Sequence, residues 1–369
     1  MHIDYRREEG FVIRHRERVL KTLYHEEPDR VPLDVWLSFQ FYEKLRNYLR
    51  AQDYEQILCL LGVDVRYTAP NPPSSFMKRA KIDPRIHYGV GIPVGEDALK
   101  DEWGIIRKLN ITKTRSRIVY HPLQYINLSE YVVPDPHADG RYDGVEQAVR
   151  KYAEEYFLFA GLGCDFLFSQ GWYLRGFERL LVDMYKHPWY INELFDKMMK
   201  YYVGVVKELI DRGVDCIFIA DDLAGQYSLI IPPKLLDKYY WPRFKVIARI
   251  VKGRGVFLAF HSDGNIMEIL PKLIDLGVDI VNPIQPECMD PAKVKETYGD
   301  KITLHGTISI QRTLPYGKPE DVAKEVKERI KVCGRNGGLI LGPSNQVLED
   351  TPIENFLTIY RVADGMKIK

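Results

Sequence analysis

Residues 256–266, VFLAFHSDGNI, hold the residue types best suited to chemistry. Five apolar residues give way at once to His261, Ser262, Asp263, Gly264 and Asn265. In a strand, residues i and i+2 point to the same side, so His261 and Asp263 are expected to share one pocket. Such a pair could work as an acid and a base, or hold a divalent ion. Gly264 lets the backbone turn away. A histidine satisfied within the core is the alternative for His261, and the adjacent Asp263 weighs against it. Burying either polar group alone is unfavourable, so other polar residues must converge on them.

The elements that would position this pair can be read from apolar runs. Strand-like stretches centre near residues 33, 64, 165, 216, 258, 280, 303 and 340. From residue 164 onward they alternate with helical patterns, the signature of βα units on a parallel sheet. The strands are near-continuous apolar runs, as strands buried on both faces should be. Eight of them predict an α/β fold, a single (β/α)8 TIM barrel spanning 1–369. Residues 71–155, rich in Pro, Gly and charge, read as an inserted hairpin-rich segment between strands two and three. A helix from residue 145 through YFLFAGLG is expected to lead back, with strand three at 164–170. No G-x-G-x-x-G follows the first strand, which removes the main dinucleotide signal.

In such a barrel the active site lies at the C-terminal ends of the strands. Those ends carry Ser169, Gln170 and Trp172; Asp221 and Asp222; His261 and Asp263; Gln285 and Glu287; His305; and Ser344 and Asn345. His261, Asp263 and Asp222 are the candidate catalytic residues. Gln170, Trp172, Tyr227, Gln285, Glu287 and Asn345 are candidate substrate contacts, with Trp172 and Tyr227 as pocket walls. Several have plainer readings. Asp221 and Asp222 suit a helix cap, Glu287 a solvated loop, His305 the core or rim, and Cys288 an incidental thiol.

Composition excludes other classes. Basic and acidic side chains nearly balance, with a formal net charge of +1, which gives no footprint for nucleic acid or an anionic membrane. No apolar run approaches the roughly 18 residues needed to span a bilayer. The five scattered cysteines include no C-x-x-C pair, and the opening MHIDYRREEGF has no apolar signal core. Both features suit a cytoplasmic protein.

The chain resembles the uroporphyrinogen decarboxylase superfamily. The resemblance rests on RERVLKTLYHEEPDRVPLD, FHSDGNIMEILPKLIDLGVDIVNPIQPE, YGDKITLHGTIS with TLPYGKPEDVAKEV, and GGLILGPSNQVLEDTPIENF. It implies a (β/α)8 barrel, in agreement with the strand count. True decarboxylases in this superfamily hold substrate carboxylates with an R-x-A-G-R stretch after strand one. This chain has WLSFQFYEKL there, and YTAPNPP where an aspartate ends strand two. Asp222 falls where the decarboxylases usually carry a serine, and Asn345 where they carry a histidine. The other branch resembles methyltransferases that work with methyl-corrinoid proteins and bind zinc through H-x-C and a later cysteine. His261 matches the first ligand, Asp263 replaces the cysteine, and Asn345 stands at the later one. His261 with Asp263 therefore suits a harder divalent metal than thiolate zinc, or a metal-free acid/base pair.

The resemblance implies a methyltransferase-like enzyme moving a methyl group between a small methylated or methoxylated compound and a separate corrinoid protein. A cofactor-free decarboxylase is the first alternative and a non-catalytic ligand-binding barrel the second; a homodimer is left open. Residues 135–140, DPHADG, fit the D-x-H-x-x-G pattern by which some corrinoid domains offer a histidine to cobalt. They sit in a Pro/Gly turn without the downstream elements of such a domain, and the match reads as chance.

Overall fold

The computed structural model describes residues 13–110, 112 and 115–366, so the opening stretch read above as lacking a signal lies outside the described residues. Seven parallel strands pair side by side in chain order, with an insertion between the first and the second. They are β1 (Val65–Thr68), β7 (Phe157–Gly161), β8 (Cys216–Ala220), β9 (Phe257–His261), β10 (Ile280–Asn282), β11 (Thr303–His305) and β12 (Leu339–Ile340). The stretch 31–37 fills the eighth position. Its Leu33 bridges Leu341 beyond β12, while the Leu33 carbonyl accepts from the Asp64 amide ahead of β1. The ring therefore closes, which leaves no bare sheet edge.

Between β1 and β7 lies a five-stranded antiparallel sheet: β2 (Lys81–Ile82), β3 (Val90–Pro93), β4 (Ala98–Lys100), β5 (Ile106–Leu109) and β6 (Ser116–Tyr120). This is the inserted hairpin segment. A helix, Asp143–Tyr152, follows it and packs beside β1 and β7.

Strand three differs from the sequence reading. The strand is Phe157–Gly161, and the expected strand at 164–170 is largely the helix Leu167–Arg175. Two short apolar runs, YFLFAGLG and CDFLFSQ, stand side by side in the sequence. Periodicity alone cannot separate a buried strand from a buried helix segment in runs this short. Gly163, at φ +79, makes the turn after β7, and the Asp221 carboxylate supplies a cap for the helix from the next strand. Phe168 N donates to its Oδ2 at 2.9 Å and Ser169 N to its Oδ1 at 2.7 Å.

The barrel interior is an aromatic layer. Phe159 of β7 stacks on Tyr67 of β1 at 5.1 Å and on His305 of β11 at 5.8 Å. Phe218 of β8 meets Phe159 edge-on at 5.8 Å, and Trp36 meets Phe218 at 5.7 Å. Offset and edge-on aromatic pairs of this kind add about 0.5–1.5 kcal/mol each beyond area burial. Asp34 satisfies the layer's polar edges, accepting from Tyr67 Oη at 2.6 Å and lying 2.8 Å from His305 Nε2. His305 is thus a core histidine, as its sequence context suggested. Among the described residues no helix is long and apolar enough to cross a membrane.

Candidate active site

The aromatic layer floors a cavity of about 410 Å³ at the C-terminal ends of the strands. Trp36 and Phe218 lie beneath His261, with ring centroids 5.4 and 6.0 Å away. Parallel pairing sets Ala220, His261 and Asn282 side by side. That register explains the first contact of the imidazole: its Nδ1 lies 2.6 Å from Asn282 Oδ1. With the amide oxygen as acceptor, Nδ1 carries the proton, and Nε2 is turned toward the carboxylates.

Beyond β9 the backbone is anchored to its neighbours. The Ser262 hydroxyl accepts from Leu223 N at 3.0 Å. Gly264 sits at φ +89, and a Cβ there would lie 2.4 Å from the Gly225 carbonyl oxygen, so only glycine allows this approach. Gly264 N donates to Gln285 Oε1 at 3.2 Å and Asn265 N to Gly225 O at 2.8 Å. The result places Asp263 Oδ1 3.8 Å from His261 Nε2, and Asp222 Oδ1 at the same 3.8 Å. Asp263 N donates to Asp222 Oδ1 at 2.9 Å, while Asp222 N donates to Ser169 Oγ at 3.1 Å. The His261 side chain is 11% exposed, whereas those of Asp222 and Asp263 are 52% and 41% exposed.

Charge follows from this layout. Burial alone would lower the His261 pKa, but the Asp263 and Asp222 carboxylates and the Asn282 bond outweigh it and raise the value. Confinement raises the Asp222 pKa, with His261 pulling down and Asp263 pushing up. Asp221, fully enclosed, is pushed up to about 7 by burial in spite of the two amides it caps.

Asp222, His261 and Asp263 offer ligand atoms that all lie within 4.8 Å of one another. One imidazole nitrogen and two carboxylates suit a mixed N/O divalent site with open positions, unlike a closed thiolate set. Asn345 is bonded to this group. Its Oδ1 already accepts from Gln346 N at 2.6 Å. Its Nδ2 donates to Asp263 Oδ1 at 2.9 Å and Oδ2 at 2.7 Å. The amide orients the carboxylate, as outer partners of metal-binding groups do.

The structure thus brings together four of the residues singled out from sequence: His261, Asp263, Asp222 and Asn345. Gln285 stands next to them as the acceptor that holds the Gly264 turn. The others lie elsewhere. Gln170 and Trp172 are on the helix Leu167–Arg175 and do not line the cavity. Tyr227 is 89% exposed. Glu287 turns to a separate hollow, where Ser309 Oγ donates to it. Residues 135–140 are also outside the cavity; His137 pairs at the surface with Glu208, 2.7 Å away.

Other lining residues were missed by the sequence reading: Trp36, His87, Tyr88, Cys164, Asp165 and Tyr173. Asp165 follows the Gly161–Gly163 turn and would have been a strand-end residue had β7 been placed correctly. His87 and Tyr88 come from the turn between β2 and β3, and no local pattern announces that the insertion reaches the barrel mouth. A larger hollow of about 1010 Å³ opens at the opposite end, where Arg18 and Arg30 are tied to Asp29 and Asp64.

The sequence profile of the uroporphyrinogen decarboxylase (URO-D) family matches residues 109–365. The chain belongs to this family. Among its relatives, the uroporphyrinogen decarboxylase of Actinobacillus pleuropneumoniae serotype 5b is 22% identical over 352 residues, covering 91% of this chain and 93% of the relative. That of Anaeromyxobacter sp. strain Fw109-5 is 24% identical over 192 residues, and the match spans about half of each, 52%. With the decarboxylase of Actinobacillus succinogenes the match reaches 63% of the relative's length. A methyltransferase from Methanosarcina mazei shares the fold, with a TM-score of 0.68 at 16% identity over 96% of this chain and 99% of that one. Family members are thus represented here by low-identity relatives, and the fold is that of an α/β barrel.

Proposed function

We propose that this URO-D family enzyme moves a methyl group between a small methylated compound and a separate corrinoid protein. The observation that carries the reading is the acid–base group: His261 Nε2 stands 3.8 Å from two carboxylates at the mouth of the barrel. When the methyl group leaves, the substrate heteroatom keeps the bonding pair and needs a proton. His261, whose pKa its carboxylate neighbours raise, is placed to supply it from Nε2, and Asn282 holds the ring for that donation. Asp263, clamped by Asn345, and Asp222 stabilise the imidazolium before transfer. Trp36 and Phe218 exclude water from below. His261, Asp263 and Asp222 would also hold a divalent ion, which supplies Lewis-acid polarisation of the leaving atom when bound. Gln170, Trp172, Tyr227 and Glu287 have no part in this proposal, because they stand outside the cavity.

A cofactor-free decarboxylase is the second reading, favoured by the names of the sequence relatives. Against it stands the cavity wall: among the described residues none of its lining side chains is Lys or Arg, the groups that would neutralise a polycarboxylated tetrapyrrole. The deciding experiment mixes the purified chain with a reduced corrinoid protein and a panel of methylated compounds, following cobalt absorbance. Methylation of cobalt that disappears in His261→Ala supports the proposal. Coproporphyrinogen formed from uroporphyrinogen under the same conditions, with no cobalt methylation, replaces it by the decarboxylase. Ligand binding that persists in His261→Ala, with neither reaction in the wild type, leaves a binding barrel.

A further inference from the structure

The end of the cavity contributed by the insertion carries a second chemical signature. The whole cavity is lined by the carboxylates Asp165, Asp221, Asp222 and Asp263 and the imidazoles His87 and His261, with no Lys or Arg among the described residues. Asp165 stands apart from the His261 group in its bonding. Tyr88 Oη donates to its Oδ1 at 2.6 Å and Tyr173 Oη to its Oδ2 at 2.6 Å. Burial would raise its pKa, but His87, with Nε2 4.0 Å from Oδ2, and then the two tyrosine bonds outweigh it and hold the carboxyl below its ordinary value. It is held as an anion against the effect of burial.

The walls are aromatic: Trp36, Tyr88, Tyr173 and Phe218 all line the space. Tyr88 sits at φ +51, a left-handed conformation unfavourable for a bulky side chain, although Gly89 stands next to it. Strain of this kind persists where the surroundings fix a side chain in place. The Arg107 guanidinium lies over the Tyr88 and Tyr173 rings at 5.6 and 5.0 Å, but it is bonded to Asp101 and does not line the cavity.

We propose that Asp165 and the aromatic walls bind an organic cation, an alkylated ammonium group, as the recognition handle of the substrate. Charge selects a cation over an anion or a neutral compound. The hydrogen bonds already made to Asp165 favour an alkylated nitrogen over a bare ammonium. Each Asp165 oxygen already accepts a tyrosine hydroxyl, and Trp36 and Phe218, which line the same cavity, bring no acceptors for N–H groups. Aromatic faces around a carboxylate are the arrangement that holds quaternary ammonium ions. A volume of about 410 Å³ suits a compound with few atoms beyond that head group. This names the substrate class of the methyl-transfer reading and rests on that reading for its consequence; the binding itself does not.

Calorimetric titration of the full chain tests it without any corrinoid protein, using tetramethylammonium chloride, the neutral near-isostere neopentyl alcohol, and trimethylacetate. The expected result is saturable tetramethylammonium binding at least tenfold tighter than neopentyl alcohol, with no trimethylacetate binding. Asp165→Asn should weaken tetramethylammonium at least tenfold and leave neopentyl alcohol unchanged. Tyr88→Leu, which keeps Asp165, should weaken tetramethylammonium several-fold and serves if the first variant does not fold. Equal affinity for the cation and its isostere, no cation binding, or indifference of the cation to both substitutions overturns the proposal. Methyl transfer from neutral compounds would survive that outcome; ammonium binding with no methyl transfer from any compound would instead sink the proposed reaction.

Discussion

Replacing Asp64 by Asn keeps the shape of one side chain and removes the charge that closes the barrel. Asp64 is fully buried ahead of β1. Its carboxylate lies 2.7 Å from His15 Nδ1 and accepts from Arg18 Nη1 at 2.6 Å, Arg30 Nη1 at 2.7 Å and Leu33 N at 2.7 Å. One anion thus ties the first helix, the loop at Arg30 and the stretch 31–37 to the sheet. Breaking a buried ion pair by removing one partner costs about 3–5 kcal/mol. Arg18 retains Asp29 at 2.6 Å, so the lower end applies, about 3 kcal/mol. A chain of this length unfolds with an entropy near 0.8 kcal/mol per kelvin, which converts the loss to a Tm fall of about 4 °C. Burial pushes the Asp64 pKa up, but His15, Arg30 and Arg18 together bring it below its ordinary value. A depressed carboxylate stabilises fully above its unfolded pKa, about 4, and loses that contribution as pH falls through the lower folded value. Differential scanning calorimetry of wild type and Asp64→Asn should therefore show a constant gap at pH 5–8 that narrows below about pH 4. Equal Tm values at pH 7, or a gap that widens on acidification, would refute the reasoning.

Three further outcomes follow from the site. Asn345→Ala removes both bonds to Asp263 and should lower divalent-metal affinity, read by competition with a fluorescent chelator, by about 10–100-fold; unchanged affinity would remove Asn345 as the orienting group. Asn282→Ala frees His261 Nδ1 and should reduce kcat for methyl transfer by about 10–100-fold with little change in KM, and a pure KM effect would contradict it. Gly264→Ala brings a Cβ to within 2.4 Å of the Gly225 oxygen at a φ that disfavours alanine, and should destabilise by about 1–3 kcal/mol; a melting curve matching wild type would show that the turn relaxes freely.

Much of the barrel was legible because its strands are fully buried. Ile217, Ile219, Leu258, Phe260, Ile280, Leu304 and Ile340 are enclosed, so the apolar runs mark their own strands. Strand three failed where two such runs abut and only Gly161, Gly163 and the distant cap from Asp221 decide between them. Within the site, His261 and Asp263 were legible because two residues at one strand end share a side. Gln285 and Glu287 have the same spacing but lie beyond β10, where the chain turns, and they part company: one holds Gly264, the other joins Ser309. Tyr88 and Asp165 meet across 77 positions of sequence through the insertion, a contact that no local pattern encodes.

The two departures from a thiolate set act together. Asp263 brings a hard carboxylate where a thiolate would be a soft ligand, and it stands beside Asp222. Asn345 then answers that charge with two N–H donors, because its own oxygen is taken by Gln346 N. Asn345 is matched to the carboxylate opposite, so a cysteine placed at 345 alone would leave Asp263 without its clamp rather than create a thiolate zinc site. The remaining negative charge must be balanced by a proton on His261, by a divalent ion, or by a cationic substrate. The first two meet at His261 Nε2 and exclude each other there. A cationic head group at Asp165 leaves that nitrogen free, so a compound whose transferred methyl sits on a second heteroatom can be held by its ammonium group and protonated at that heteroatom within a single cavity.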